Sequence, residues 1–397
     1  MAPHPRRSRI AWVLLFGLVG ALGACGDAMA PTTPETALEG AEGGLFFHRG
    51  RAEPITFLTR NVYLGADIEP VVAAANDPNP LVLVAAAATA WQQVQDSRIA
   101  DRAEAIARQI ARDRPHLVGL QEAFQFVELD ANFQPTGLVL DLLAEIENEL
   151  VDRGSEYTTV AVQNNTTSAM PIEVDPSTGG VTKWVSFTDR IAVLAREDVD
   201  IDDVAQGMYG ANVPVNPNLV LTRGWIRVAT SFGDRPYHFV NTHLEGQSLA
   251  PIQAAQAAEL RASVLAGLEG VTVLVGDLNS DAEGGPGDPS WTPTYGEMID
   301  DGFTDLWEES LWGRLPGYTC CQEKDLTNLP SQLDERIDFV LVRSTTDIGL
   351  NRPGAVRMDI VGNRFWERTT GWPRLWPSDH AGLLAGLVRR GGVFARH

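Results

Sequence analysis

Cysteine is almost missing from this chain, with three in 397 residues. A disulfide framework is thereby excluded, and the absence of any CxxC or Cys/His spacing excludes a structural zinc site. Positive charge is scarce as well: 31 Lys and Arg face 52 Asp and Glu, a formal charge of -21. Polyanions as a class are repelled at long range by such a surface. No Lys/Arg-rich stretch is interleaved with stacking aromatics either, and "RTTGWPR" is the nearest approach to one. Long apolar runs are absent except for one close to the start. What is present is 44% hydrophobic and 21% charged content, enough to build a large core, so the chain is globular rather than disordered.

The apolar run at the start reads as a targeting signal. "HPRRSR" is a basic leader, "IAWVLLFGLVGALGA" is short for a membrane span, and "LGAC" closes it at Cys25. Residues 1–24 resemble a bacterial lipoprotein signal peptide, which would leave Cys25 lipidated as the mature N-terminus. An uncleaved membrane anchor is the competing reading. Residues 25–52, rich in small, Pro and acidic residues, read as a flexible tether, and 53–397 as one folded domain. Export permits oxidation of the adjacent Cys320 and Cys321, which could equally be two buried thiols. The expected location is therefore the bacterial envelope or cell surface, on a membrane, with the domain a monomer.

Along the folded part, polar residues recur where apolar strands stop. "ITFLTRNVYLG" is a strand ending near Asn61, and "HLVGLQEA" a short buried one running into Gln121 and Glu122. Between them lie alanine-rich helical segments; in the last, Ile99, Ala103, Ile106 and Ile110 share one face, and Pro115 ends the helix. "YHFVNTHLEGQ" ends in Asn241, Thr242 and His243, and "VTVLVGDLNSD" in Asp277 and Asn279. "RIDFVLVR" carries Asp338, and "GWPRLWPSDHAGLLAGLV" brings Asp379 and His380 up to a last apolar strand. Strand ends hold side chains rigidly while facing solvent, which suits chemistry.

Each landmark has a bland reading of its own. Glu122 could start a loop or cap a helix, "GDLN" could be a turn, and a lone histidine is usually a satisfied core or surface residue. Asp338 in an apolar strand is harder to dismiss, because a buried carboxylate is costly unless paired. The ordered set decides the matter. "RNVYLG", "GLQEA", "VNTHLEGQ", "GDLNS", "RIDFVLV" and "PSDHAG" resemble, in order, the motifs of the endonuclease/exonuclease/phosphatase superfamily, also called DNase-I-like. The "NTHL" segment and its loop are most similar to the secreted sphingomyelinase-type phosphodiesterases. The resemblance implies an α/β fold, a four-layer α/β sandwich of two packed, mostly antiparallel sheets flanked by helices, with the site at one edge. The chain departs from the pattern in its alanine-rich insertion between Asn61 and Glu122, in the Cys320-Cys321 pair, and in Asp189-Arg190 of "FTDRIAVLAR".

Water attack on a phosphodiester needs charge neutralised on the phosphoryl oxygens, a deprotonated nucleophile and a stabilised leaving oxygen. Glu122, helped by the amide oxygen of Asn61, offers hard ligands for Mg²⁺ or another divalent cation such as Mn²⁺, with Asp379 a second metal-side or water-mediated contact. By the family pattern His380 is the base and Asp338 holds its other ring nitrogen. Asp277 and Asn279 would orient the water, and His243 and Asn241 donate to the phosphate. Residue types leave open whether Asp277 or His380 takes the proton. Trp366 and Trp372 stand just before the Ser-Asp-His motif, where they would touch a lipid headgroup surface or else pack structurally.

The expected function is thus an exported, metal-dependent phosphoesterase, a phosphodiester hydrolase acting on a phospholipid or small phosphoester in a sphingomyelinase-like way. A secreted Mg²⁺-dependent nuclease on DNA or RNA is the alternative, disfavoured by charge. A non-catalytic binding protein on the same fold would lack at least one member of the set, and all are present.

Overall fold

Two periodicities organise the chain. Where apolar side chains recur every three to four residues, helices form: α1 (Glu69–Ala74), α2 (Pro80–Asp96), α3 (Ile99–Asp113), α4 (Leu142–Asp152), α5 (Ala250–Glu259) and α6 (Thr294–Asp300). Pro80 opens α2 at its first position, where no backbone donor is required, and the Asn79 side chain caps it by accepting from the Leu81 N–H. In α3, Ile99, Ala103, Ile106 and Ile110 are all buried, and Arg114, in a left-handed conformation just before Pro115, closes the helix. These coordinates, a computed structural model, describe residues 54–217, 219–350 and 354–388. The expected signal segment, Cys25 and the tether lie outside the described residues.

Where apolar residues run continuously or alternate, strands pair into two large sheets. The first orders Val356–Val361, Gly382–Leu387, Ile55–Asn61, Leu117–Gln121, Val181–Arg196, Gln125–Asp130 and Pro135–Asp141, with Tyr157–Val174 also pairing Val181–Arg196. The second orders Thr304–Asp305, Asp338–Ser344, Val271–Asp277, Arg235–His243, Gly224–Phe232 and Ile201–Met208. Only two of these pairings are parallel, Ile55–Asn61 with Leu117–Gln121 and Arg235–His243 with Val271–Asp277. Mixed but mostly antiparallel sheets are as expected.

Three apolar cores show the layering. Phe57, Leu117, Val193, Val228, Phe239 and Val273 pack between the sheets. On the outer face of the first sheet, Leu58, Val118 and Leu120 meet α2, α3 and α4. On the outer face of the second, Val240, Leu274 and Leu341 meet α5, the π turn Leu260–Leu265 and α6. The order is helix, sheet, sheet, helix, the four-layer sandwich.

Parallel pairing matters for the site because it makes strands end together. Asn61 stands in register with Gln121 in the first sheet. In the second, His243 pairs Asp277 and Asp277 pairs Asp338, one row across three strands. The Gly382–Leu387 strand runs antiparallel to Ile55–Asn61 with Leu383 opposite Thr59, so His380 arrives at the same edge from the other direction.

Candidate active site

A buried histidine–carboxylate pair sits at the centre of this edge. His380 Nδ1 is 2.8 Å from Asp338 Oδ2, and Asp338 is fully buried at the head of its strand, so the carboxylate has the partner its burial demands. Ser378 positions the ring: its hydroxyl donates to the Asn61 carbonyl and accepts the His380 N–H. Arg60, from the same first strand, donates to the His380 carbonyl at 2.9 Å. Burial by itself would lower the His380 pKa, but Asp338, Asp379 and Asp277 together raise it to about 10. In the metal-free protein His380 is therefore an imidazolium.

Asp277 lies 3.8 Å from His380 Nε2 and 3.6 Å from His243 Nε2. Burial first, and then the charge of Asp338, push its pKa up to about 7, although His380 and the Asn61 and Asn279 hydrogen bonds pull the other way. A carboxyl whose pKa is raised toward neutrality beside an imidazolium is a candidate proton acceptor.

His243 is buried and held well below the usual imidazole pKa by burial, Arg223 and His380, so it is neutral. Arg223 Nη1, which can only donate, lies 3.0 Å from Nδ1. That contact leaves the ring proton on Nε2, which lies 3.6 Å from Asp277 Oδ2 and 3.3 Å from the Asn279 amide nitrogen. Asn279 is held by its own backbone N–H to Asp277 Oδ1 and by its side-chain amide to the Leu244 carbonyl.

Asn241 does not join them. Its Oδ1 accepts from Gln121, and its amide donates to the Leu120 and Ala192 carbonyls of the facing sheet. Two residues back from His243 along the strand is about 7 Å deeper. The expected phosphate donor is thus a cross-link between the sheets, with every polar atom engaged.

On the other side of Asp277, Asn61 donates from one amide nitrogen to Glu122 Oε1 at 3.2 Å and to Asp277 Oδ2 at 3.0 Å. Its Oδ1 accepts from the Tyr63 N–H. Asn61 therefore acts here as a clamp between two carboxylates, with its oxygen already engaged by backbone. Glu122 Oε2 accepts from the Leu64 N–H. Tyr63, Glu122 and Asn279 all have positive φ (59°, 57° and 50°), a cluster of strained backbone of the kind found at functional sites. Asp379 is buried, and burial, with a further contribution from Glu122, raises its pKa even though His380 lowers it.

The pocket these residues line has a volume of about 250 Å³. Seven carboxylates, Asp67, Glu69, Glu122, Glu245, Asp277, Glu335 and Asp379, face Arg223 and Lys324 there. Arg223 is already committed to Asp189 and Glu245. Hard oxygens crowded into one pocket fit a divalent cation, with Glu122 and Asp379 the residues that would hold it and Asn61 fixing the geometry. Asp277, Asp338 and His380 also bring ligand atoms within 4.8 Å of one another, but His380 Nδ1 and Asp338 Oδ2 are spent on their mutual bond.

The adjacent cysteines noted in the sequence fall at this pocket, whereas Lys324, Arg102 and Arg223 carry no sequence signal that singles them out. Cys320 and Cys321, joined as a vicinal disulfide, line the pocket, with Cys320 Sγ 3.6 Å from His380 Nε2. Lys324 lies 3.8 Å from Asp379. Buried Arg102 of α3 donates to the Ser97, Val62, Tyr63 and Pro377 carbonyls, tying the loop after the first strand to the loop before His380. An arginine in an amphipathic helix reads as surface, and only the tertiary fold reveals it as buried. Of the tryptophans, Trp366 (69%) and Trp372 (91%) are exposed while Trp376 (2%) is buried.

The chain is a four-layer sandwich that gathers a histidine–aspartate pair, a second acid and a glutamate at one edge. Residues 93–380, more than half of the chain, match the model of the Endonuclease/Exonuclease/phosphatase family, and the protein belongs to that family. Solved structures resemble the chain at low identity. The family protein from Bacteroides thetaiotaomicron is 16% identical, with TM-score 0.49, over 85% of this chain and 100% of that one. For the protein from Beutenbergia cavernae DSM 12333 the figures are 19%, 0.49, 86% and 72%, and for that from Leptotrichia buccalis C-1013-b 13%, 0.47, 84% and 99%. No curated protein sequence matches the chain. Members of this family are in general hydrolytic phosphoesterases that use a divalent metal.

Proposed function

We propose that the protein is a divalent-metal-dependent phosphodiester hydrolase acting on a phospholipid or another small phosphoester, exported and tethered to a membrane through a lipidated Cys25. The observation that carries the reading is the convergence of Asp277, the His380–Asp338 pair, the His243 N–H and Glu122 on one pocket. A divalent ion such as Mg²⁺, held by Glu122 and Asp379, would supply Lewis-acid polarisation of a phosphoryl oxygen. Asp277 takes the proton of the attacking water. His380, charged and aimed by Asp338, donates to the developing negative charge, and the neutral His243 donates from Nε2 to a non-bridging oxygen. Asn61 holds Glu122 and Asp277 at the spacing that serves both.

Acidity of the pocket supports a small substrate over a nucleic acid, since a polyanion gains affinity from many phosphate contacts with Lys and Arg, and the two cations lining this pocket, Arg223 and Lys324, both face carboxylates. A screen over sphingomyelin, glycerophospholipids, plasmid DNA and simple phosphomonoesters with and without Mg²⁺ tests the reading. Glu122→Gln, which keeps shape and removes charge, should lose about 10²-fold or more in turnover with the fold intact. Metal-dependent turnover close to wild type in that variant removes Glu122 from the metal site.

A further inference from the structure

The catalytic pocket does not end at its acids. A second cavity of about 130 Å³ adjoins it, and Leu64, Ala66, Ile68, Arg223 and Glu245 line both. Away from that shared neck the second cavity is apolar apart from Thr166 and from Asp189, whose carboxylate pairs with Arg223. Val71, Ala87, Trp91 and Val94 form one wall, contributed by α1 and α2 of the alanine-rich insertion, and Phe124, Phe126, Met170 and Phe187 form the other. Its aromatic walls brace one another: Phe124 stacks on Phe126 with centroids 5.6 Å apart, and Trp91 meets Phe126 at 5.9 Å. Ala87 and Ala90 leave the room that a larger residue on α2 would fill.

Protein interiors tolerate few empty volumes, and a dry apolar cavity of about 150 Å³ is known to accept a benzene-sized guest. Polarity runs in one direction here, from the carboxylates around the reacting centre, through Arg223 and Glu245 at the neck, to hydrocarbon. An ester substituent leaving the phosphorus would follow that gradient. Resting on the phosphodiesterase reading, we infer that the α1–α2 insertion builds a substrate-selectivity pocket, which seats a compact apolar group of about six carbons, aryl or alkyl, attached to the phosphoester at the catalytic centre. The departure of this chain from the family's pattern is then the part that chooses the substrate. A free aryl or short alkyl ester and the first carbons of a lipid chain share this chemistry, and chain length separates them.

Two measurements on the full-length protein with Mg²⁺ test this. In the first, calorimetric titration compares hexyl phosphate with methyl phosphate as product-like probes. Each buried methylene is worth about 3- to 4-fold, so hexyl phosphate should bind at least 30-fold tighter after ordering costs, and Ala87→Leu should collapse that ratio to below about 3. In the second, kcat/KM is followed over alkyl 4-nitrophenyl phosphodiesters from methyl to dodecyl. It should rise to about six carbons and then level; a continued rise to twelve indicates a long chain lying on the surface and overturns the compact pocket. Should Ala87→Leu fail to fold, Phe187→Ala, which enlarges the cavity, should move the plateau to longer chains. Equal affinity for hexyl and methyl phosphate overturns the inference. No turnover of any diester, with the hexyl preference intact and lost in Ala87→Leu, overturns the catalytic reading and leaves the pocket.

Discussion

Asp338 and His380 are one unit: a 2.8 Å bond in a buried setting fixes both the ring's orientation and its charge. His380→Ala and Asp338→Ala should each cost about 10³-fold in turnover, and the double variant little more than His380→Ala alone, because members of a unit are not additive. Multiplicative losses in the double variant would show independent roles. Protonation also ties these residues to stability. In metal-free protein the folded-state pKa of Asp277, about 7, lies above its ordinary 3.8, and that of His380, about 10, above its ordinary 6.5. Between those limits the folded state binds more protons than the unfolded, so stability falls as pH rises, through pH 4–7 for Asp277 and 6.5–10 for His380. Denaturant unfolding in EDTA should show this decline, with His380→Gln flattening the upper window. A midpoint that climbs from pH 7 to 10 would contradict the assigned charge.

At the level of elements, α3 and the loop before His380 divide the tryptophans. The Trp372 carbonyl accepts from Arg98 just before α3, whereas Trp366 adjoins Glu367, whose carboxylate pairs with Arg112 in the last turn. The anchors are 14 residues apart on a helix, about 20 Å. The Arg98 end adjoins Tyr63 of the pocket lining through Arg102, whereas the Glu367 end reaches only the backbone behind His380, through Arg60. On liposomes Trp372→Ala should therefore lose several-fold more activity than Trp366→Ala, and neither should matter on a soluble diester. Equal losses on both substrates would make the rings structural. Strand ends were legible in the sequence because apolar runs stop abruptly at Glu122, His243 and Asp277 and one begins directly after Asp338, and because Ile99, Ala103, Ile106 and Ile110 mark α3. Asn241 was misread since strand alternation gives the face but not the depth, and a residue two positions from the edge is already between the sheets. Arg223 has nothing local to signal His243 20 positions away, and the Cys320-Cys321 pair stands out in the sequence by its adjacency but not for its place beside His380, 60 positions on.

Across the whole molecule, acidity and architecture point the same way. A formal charge of -21 repels polyanions at long range, and the pocket itself is rich in carboxylates, a setting that attracts a cation. The four-layer sandwich makes this possible by ending parallel strands together, which concentrates acids that no surface would gather unaided. The most direct test is hydrolysis of bis(4-nitrophenyl) phosphate by the purified chain, titrated with Mg²⁺ and Mn²⁺ against EDTA and repeated with His380→Ala. Saturable, metal-dependent release of 4-nitrophenolate that EDTA abolishes and His380→Ala reduces about 10³-fold is the expected result. Hydrolysis indifferent to EDTA, or unchanged in His380→Ala, would contradict it.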